Sequence, residues 1–193
     1  MLNSRAKSSD AVSSSVASSG GAVDKVKAGG VFAVQCHDAD GNLKWSAESH
    51  NLVMNGGLQD MNAKYFTGTS YTATWYLGLY GAASSNNPAA GDTMLTHGGW
   101  TEQVGYSQAT RPACTFGTAT TADPSVITNS LSAAAFSINA TATIGGAFLT
   151  SDNTKSGTTG ILFSAADFAA PGDRNVVSGD TLSVTYTFSL DAA

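Results

Sequence analysis

The sequence predicts an all-β protein, an antiparallel β-sandwich with the jelly roll among its candidate forms, carrying one short helix and an extended N-terminal arm. Three observations predict it. The stretch Asp180-Thr181-Leu182-Ser183-Val184-Thr185-Tyr186-Thr187-Phe188-Ser189-Leu190 alternates strictly, with large apolar residues on one side and Thr and Ser on the other, which is the period of a half-buried strand. About eight strand-like runs are separated by Gly- and Asn-rich turns with no helices alternating between them, a pattern of sandwiches rather than of α/β folds. Charged residues are only 12% of the chain while glycines number 21. Such a wealth of small uncharged residues, mixed with β-branched and aromatic ones, suits close-packed sheets with many turns.

Two segments of different composition make up the chain. Residues 1–28 hold eight serines and no aromatic residue, and all 17 aromatics follow Gly29. Arg5, Lys7, Lys25 and Lys27 stand against Asp10 and Asp24 in the first segment, whereas the remainder carries five basic residues against twelve acidic ones. A segment so poor in large apolar groups cannot offset its conformational entropy alone and is expected to order only on a partner. Residues 1–28 are therefore read as an arm and residues 29–193 as one sandwich body, long enough for its own core.

Taken in order, Gly29-Gly30 closes the arm and Val31-Phe32-Ala33-Val34-Gln35-Cys36-His37 opens the body as a strand. The turn formers Asp38-Ala39-Asp40-Gly41-Asn42 join it to Leu43-Lys44-Trp45-Ser46-Ala47 in a hairpin, and the second strand is expected to run on toward Leu52-Val53-Met54. After Asn55-Gly56-Gly57, apolar Leu58, Met61, Tyr65 and Phe66 recur at helical spacing, with Gln59, Asp60 and Lys64 on the opposite face. Gly68 is placed to end this helix. Thr72-Ala73-Thr74-Trp75-Tyr76-Leu77-Gly78-Leu79-Tyr80 is apolar on both faces, as a central strand is. Residues 81–91 read as a surface loop, and residues 92–112 as an excursion anchored by Trp100 and Tyr106. Further strands are expected at Ala113-Cys114-Thr115-Phe116-Gly117 and at Ala134-Ala135-Phe136-Ser137-Ile138, which Ala140-Thr141-Ala142-Thr143-Ile144 continues or pairs with, before a bulge or kink at Gly145-Gly146 and a run Ala147-Phe148-Leu149-Thr150. A turn-rich stretch follows, then Gly160-Ile161-Leu162-Phe163-Ser164 and the closing alternating strand.

Chemical signatures are sparse. Cys36 and His37 with Asp38 and Asp40 invite a metal site, but strand neighbours point to opposite faces, so the two cannot reach one ion without a bulge. Asp38-x-Asp40-Gly41-Asn42 fails as a calcium loop: Leu43 falls where the pattern needs Gly, and Ser49 where it needs Glu. A hairpin turn accounts for Asp-Gly. No Gly-x-Ser-x-Gly elbow marks a hydrolase, and the two glutamates, Glu48 and Glu102, carry no feature that pairs them for glycoside cleavage. Cys36 and Cys114 are too few for a disulfide framework and read as buried thiols. The sequence reading thus expects no catalytic residues, no metal and no cofactor. A formal charge of −5 disfavours nucleic acid as a partner. No apolar run approaches a membrane span, and no apolar core follows Arg5 and Lys7 as a signal peptide requires, so synthesis in the cytoplasm and no membrane partner are expected.

Asp40-Gly41-Asn42-Leu43-Lys44-Trp45, His50-Asn51-Leu52-Val53-Met54-Asn55-Gly56-Gly57-Leu58, Thr74-Trp75-Tyr76-Leu77-Gly78-Leu79, Gly98-Gly99-Trp100-Thr101-Glu102 and Ala142-Thr143-Ile144-Gly145-Gly146-Ala147-Phe148-Leu149 together resemble a family of small structural proteins of tailed bacteriophages and prophages. The resemblance covers roughly residues 30–190, excludes the arm and transfers no active site. It implies a virion component without enzymatic activity: a head decoration or cement protein on the capsid exterior, made in the host bacterial cytoplasm. Its partner would be the major capsid protein, with self-association as a dimer or trimer. The alternative is a tail or tail-fibre component acting as an adhesin. An extended arm of 28 residues could reach about 90 Å, and its partner-binding residues would be Arg5, Lys7, Lys25 and Lys27.

Overall fold

The computed structural model describes residues 25–71, 74–81 and 88–192. Twelve strands and one α-helix succeed one another: β1 (Val26–His37), β2 (Leu43–His50), β3 (Leu52–Val53), α1 (Asn55–Phe66), β4 (Trp75–Gly81), β5 (Glu102–Gln103), β6 (Ala113–Cys114), β7 (Ser125–Thr128), β8 (Ala134–Ser137), β9 (Ala142–Thr150), β10 (Leu162–Asp167), β11 (Arg174–Val176) and β12 (Thr181–Ala192). They form two antiparallel sheets. In the first the order is β2-β1-β12-β7, with β8 also on β12; in the second it is β3-β10-β9-β4-β5, with β11 on β9 and β6 on β4. The protein is an all-β antiparallel sandwich, as its alternation and turn content predict.

The first sheet is organised by its ends. β1 and β12 pair over their full lengths, from Val26 opposite Ala192 to His37 opposite Thr181. The strand thus begins before Gly29, and residues 26–28, placed in the arm by composition, belong to the sheet. The reason is that the ladder is made by backbone groups, to which small and charged side chains are no obstacle when the partner strand is long enough. Residues 1–24, Thr72, Ala73, residues 82–87 and Ala193 lie outside the described residues, and with them most of the expected arm, the start of the strand expected from Thr72 and most of the expected loop 81–91.

The β1–β2 hairpin forms as expected. Asp38 accepts the backbone N–H groups of Asp40 and Asn42 at 3.0 and 2.8 Å, and Gly41 supplies the positive φ of +85° that the turn requires. The run from β2 toward Met54 changes sheets on the way. The Asn51 N–H donates to the Gly30 carbonyl at 2.9 Å in the first sheet, and Leu52 and Val53 then pair with β10 in the second.

Helix α1 packs differently from its expected orientation. Met61 touches the core, but Leu58, Tyr65 and Phe66 are 42%, 83% and 76% exposed. The inward residue is Gly57, which is buried; a Cβ there would come within 2.7 Å of the Phe163 carbonyl oxygen. The helix approaches the sheet through its smallest side chain, and this turns the aromatics at its C-terminal end outward. The Thr67 hydroxyl closes it by donating to the Ala63 carbonyl at 2.6 Å, and Gly68 follows at φ +65°.

Strand β4 is central, and both its faces are buried. Leu77 and Leu79 enter the main core between the sheets with Phe32, Val34, Leu182 and Val184. Tyr80 faces the other way, into a second cluster with Met54, Met94, Trp100, Phe148 and Leu162. Trp100 lies 5.0 Å from Tyr80 and 5.3 Å from Phe148, ring centre to ring centre. Tyr106 is buried against Phe136 at 4.9 Å, so both predicted anchors of the excursion serve as anchors. β9 neither continues nor pairs with β8 as expected, since β8 lies on β12 in the first sheet and β9 belongs to the second; it runs unbroken through Gly145-Gly146 with a bulge, Tyr80 pairing with Gly146 and Gly81 with Ile144, which leaves Gly145 out of register.

Candidate functional site: an open groove between the sheets

Inward-facing residues alternate along both long strands. On β12, Leu182, Val184 and Tyr186 are fully buried, while Phe188 and Leu190 continue the same row half-buried. On β1, Cys36, Val34 and Phe32 are buried, Gly30 and Ala28 half-buried, and Val26 is 73% exposed. The second sheet does not extend far enough to cover the end of this ribbon, where Trp75 begins β4, Leu149 nears the end of β9 and Phe163 lies in β10. The result is a groove of about 750 Å³ between the sheets, floored by Phe163, Tyr186 and Phe188 and flanked by the end of α1.

Its walls are aromatic. Phe163 packs edge-on against Trp75 and Phe188, with ring centres 5.2 and 5.5 Å away, and Phe116 stands 6.1 Å from Tyr186. The Tyr186 hydroxyl is held at the back, accepting from Asn51 Nδ2 at 2.8 Å and Ser164 Oγ at 3.1 Å; burial pushes its pKa upward, so it stays a neutral phenol. At the rim, Tyr65 and Phe66 form an edge-to-face pair 4.9 Å apart, and Tyr71 is 68% exposed. Asp60 and Lys64 are the charged residues of the lining. Lys64 also donates to the Ser70 carbonyl, fixing the turn between α1 and Tyr71. A concave apolar surface of this size, rimmed by exposed aromatics, is suited to docking a side-chain cluster or a chain segment.

The polar clusters elsewhere are tied into the fold. Arg111, whose side chain is fully buried, gives Nε and Nη2 to the two carboxylate oxygens of Glu102 at 2.9 and 2.7 Å, and its remaining contacts reach the carbonyls of Asp152 and Gly157. Glu102 also accepts the Ser156 N–H at 2.7 Å. Glu48 lies exposed on β2, so the structure does not bring the two glutamates together. Asp180 is buried and binds Lys44 Nζ at 2.6 Å and the Val177 N–H at 2.9 Å, with Cys36 Sγ 3.8 Å away. Burial alone would raise its pKa, but the Lys44 and Val177 hydrogen bonds outweigh that and hold it low.

Cys36 is inside and His37 half-buried; the β1–β2 ladder shifts register between them, while β1 keeps regular register with β12. Burial pushes the thiols of Cys36 and Cys114 up to about 11 and about 12, and neither is in a disulfide. His97 stacks on Trp100 at 3.9 Å. Among the described residues, no group of three or more His, Cys, Asp and Glu side chains could hold a metal ion. No helix among them is long and apolar enough to cross a membrane.

Of the four arm residues proposed from sequence, Arg5 and Lys7 lie outside the described residues. Lys25 is exposed immediately before β1. Lys27 sits within β1 opposite Asp191 of β12, as part of the ladder rather than of a free arm. The groove itself was missed at the sequence level. Its available signal was the alternation of β12 running on through Phe188 and Leu190, together with apolar Tyr65 and Phe66 at the end of the helix. No family model, no curated protein and no solved structure matches the chain.

Proposed function

We propose that this protein is a structural component of a bacteriophage virion, a head decoration or cement protein. In this reading it binds and bridges subunits of the major capsid protein on the head exterior, and it carries no enzymatic activity. The observation that carries the reading is the gathering of attachment features at one end of the sandwich. Val26 both lines the open aromatic groove and begins the sheet, directly after the Ser-rich N-terminal segment in sequence. The resemblance of residues 30–190 to small virion proteins supports the same reading, as does a body whose buried charges are spent on holding loops together.

In this proposal the N-terminal segment contacts the capsid, and the protein acts as a dimer or trimer so that several weak contacts sum. The structure moves the useful truncation point: residues 26–28 are in the sheet, so the segment to delete is 1–24 rather than 1–28. Protein lacking residues 1–24 is expected to fold as before and to lose occupancy on heads. Full occupancy of the truncated protein would remove the segment from the mechanism. Gel quantitation of purified virions tests the whole reading. Hundreds of copies per particle fit a cement protein, a dozen or fewer would move the protein to the tail or tail fibre, and none would end the virion reading.

A further inference from the structure

We infer that the open groove is the self-association surface, closed in solution by a second copy of this chain about a two-fold axis. This rests on the homo-oligomer part of the reading above and not on the capsid part. The patch carries knobs and a hole together. Tyr65 and Phe66 project 83% and 76% exposed as an edge-to-face pair, beside a groove of about 750 Å³. A two-fold axis sets one patch against itself, so a surface that holds both complementary shapes is suited to it.

Charge points the same way. The body from residue 29 onward has twelve acidic residues against five basic ones, so two copies repel each other through their net charge. The groove lining instead holds one Asp and one Lys, Asp60 and Lys64. It has no net charge, and across a two-fold each of these can face its opposite. Area also suffices. Three rings of 150–250 Å² each, at about three-quarters exposure, offer roughly 350–550 Å² per protomer. Val26, 73% exposed, and the half-buried Phe188 and Leu190 extend this toward the roughly 800 Å² per partner of a stable interface. Such a dimer would also bring the starts of two N-terminal segments to one side, because Val26 lies in the same lining.

The test uses the full-length protein, free of capsids, in sedimentation velocity and light scattering over a concentration series. A concentration-dependent dimer is expected. Tyr65→Ser and Phe66→Ser should each weaken it at least about tenfold while leaving the thermal transition in place, since both side chains are exposed. Leu131→Ser, at a residue 97% exposed outside the groove, should leave it unchanged. A protein still monomeric at about 100 μM, in the upper part of the micromolar range, would overturn the inference. So would a trimer, a dimer indifferent to Tyr65→Ser and Phe66→Ser, or a dimer lost on deleting residues 1–24, which would give the groove to that segment. A monomer found at high copy on heads would leave the capsid reading standing, and a dimer absent from heads would defeat that reading alone.

Discussion

Replacing Glu102 by glutamine probes how the long excursion between β4 and β6 is held to the sandwich. Glu102 accepts three hydrogen bonds, two from Arg111 and one from the Ser156 N–H. A glutamine keeps one acceptor oxygen and turns an NH₂ group toward a donor. At least one charge-assisted bond is therefore lost, and the Arg111 charge, on a side chain with 0% exposure, keeps only Asp152 Oδ1 at 3.9 Å as a carboxylate neighbour. An unpaired buried donor costs about 1–3 kcal/mol, and breaking a buried ion pair from one side costs about 3–5 kcal/mol. The expected loss is about 4 kcal/mol, or roughly 8–16 °C in Tm for a domain of this size. Urea and thermal unfolding read it directly. Arg111→Met in the same chain removes the stranded charge, so the double variant should lose less than the sum of the single losses, by more than about 1.5 kcal/mol. If the two changes add to within about 0.5 kcal/mol, or Glu102→Gln leaves the urea midpoint where it was, the buried pair does not hold the excursion.

Three further outcomes follow from the same geometry. Gly78→Ala should cost about 1–3 kcal/mol by overpacking, because a Cβ there would meet the Phe148 ring at 2.1 Å; in a Phe148→Leu background the added cost should shrink, and equal costs in both backgrounds would refute the contact. Asp180 is held below its ordinary pKa by Lys44 and Val177 despite its burial, so its contribution is present above the unfolded value near 3.9 and lost as pH falls through the folded one; Asp180→Asn should flatten the decline of the urea midpoint below about pH 4, and an unchanged slope would contradict this. Cys36 and Cys114, with thiols raised by burial to about 11 and about 12, should resist a disulfide reagent at pH 8 in native protein and both react after denaturation; rapid native labelling would show that the core opens there.

Long periodic segments were legible in the sequence, and short or contextual ones were not. β12 declared itself through its alternation, and the hairpin through Asp-Gly between two strand-like runs. β7, four residues long and half-buried throughout, has no contrast between its faces, and β5 and β6 are two residues each, shorter than any window in which a period exists. The helix was found by its apolar spacing, but it begins at Asn55 rather than after Gly57, and its inward face was read from its large apolar residues. Its docking point is Gly57, whose contribution is the absence of a side chain and which hydrophobic periodicity therefore cannot register. The Glu102–Arg111 pair was invisible for a different reason: eight residues of excursion lie between its members, and the loop that completes it contributes from Asp152 on, 41 residues after Arg111.

The groove follows from a mismatch in strand length. β1 and β12 are 12 residues each, β9 is nine, β4 seven and β10 six. At about 3.3 Å per residue the long ribbon spans roughly 40 Å and the facing strands roughly 20–30 Å, so one sheet must overhang the other. Where an overhang faces water, inward positions have no reason to stay apolar, since polar residues there would cost nothing in the core. Here the row continues as Phe188 and Leu190 on β12 and as Ala28 and Val26 on β1, and α1 adds Tyr65 and Phe66 at the same end rather than closing it. An overhang that keeps its apolar row and recruits further aromatics is built to be covered. The cover proposed above is the same overhang on a second copy, which would bring its own Tyr65 and Phe66 to this row.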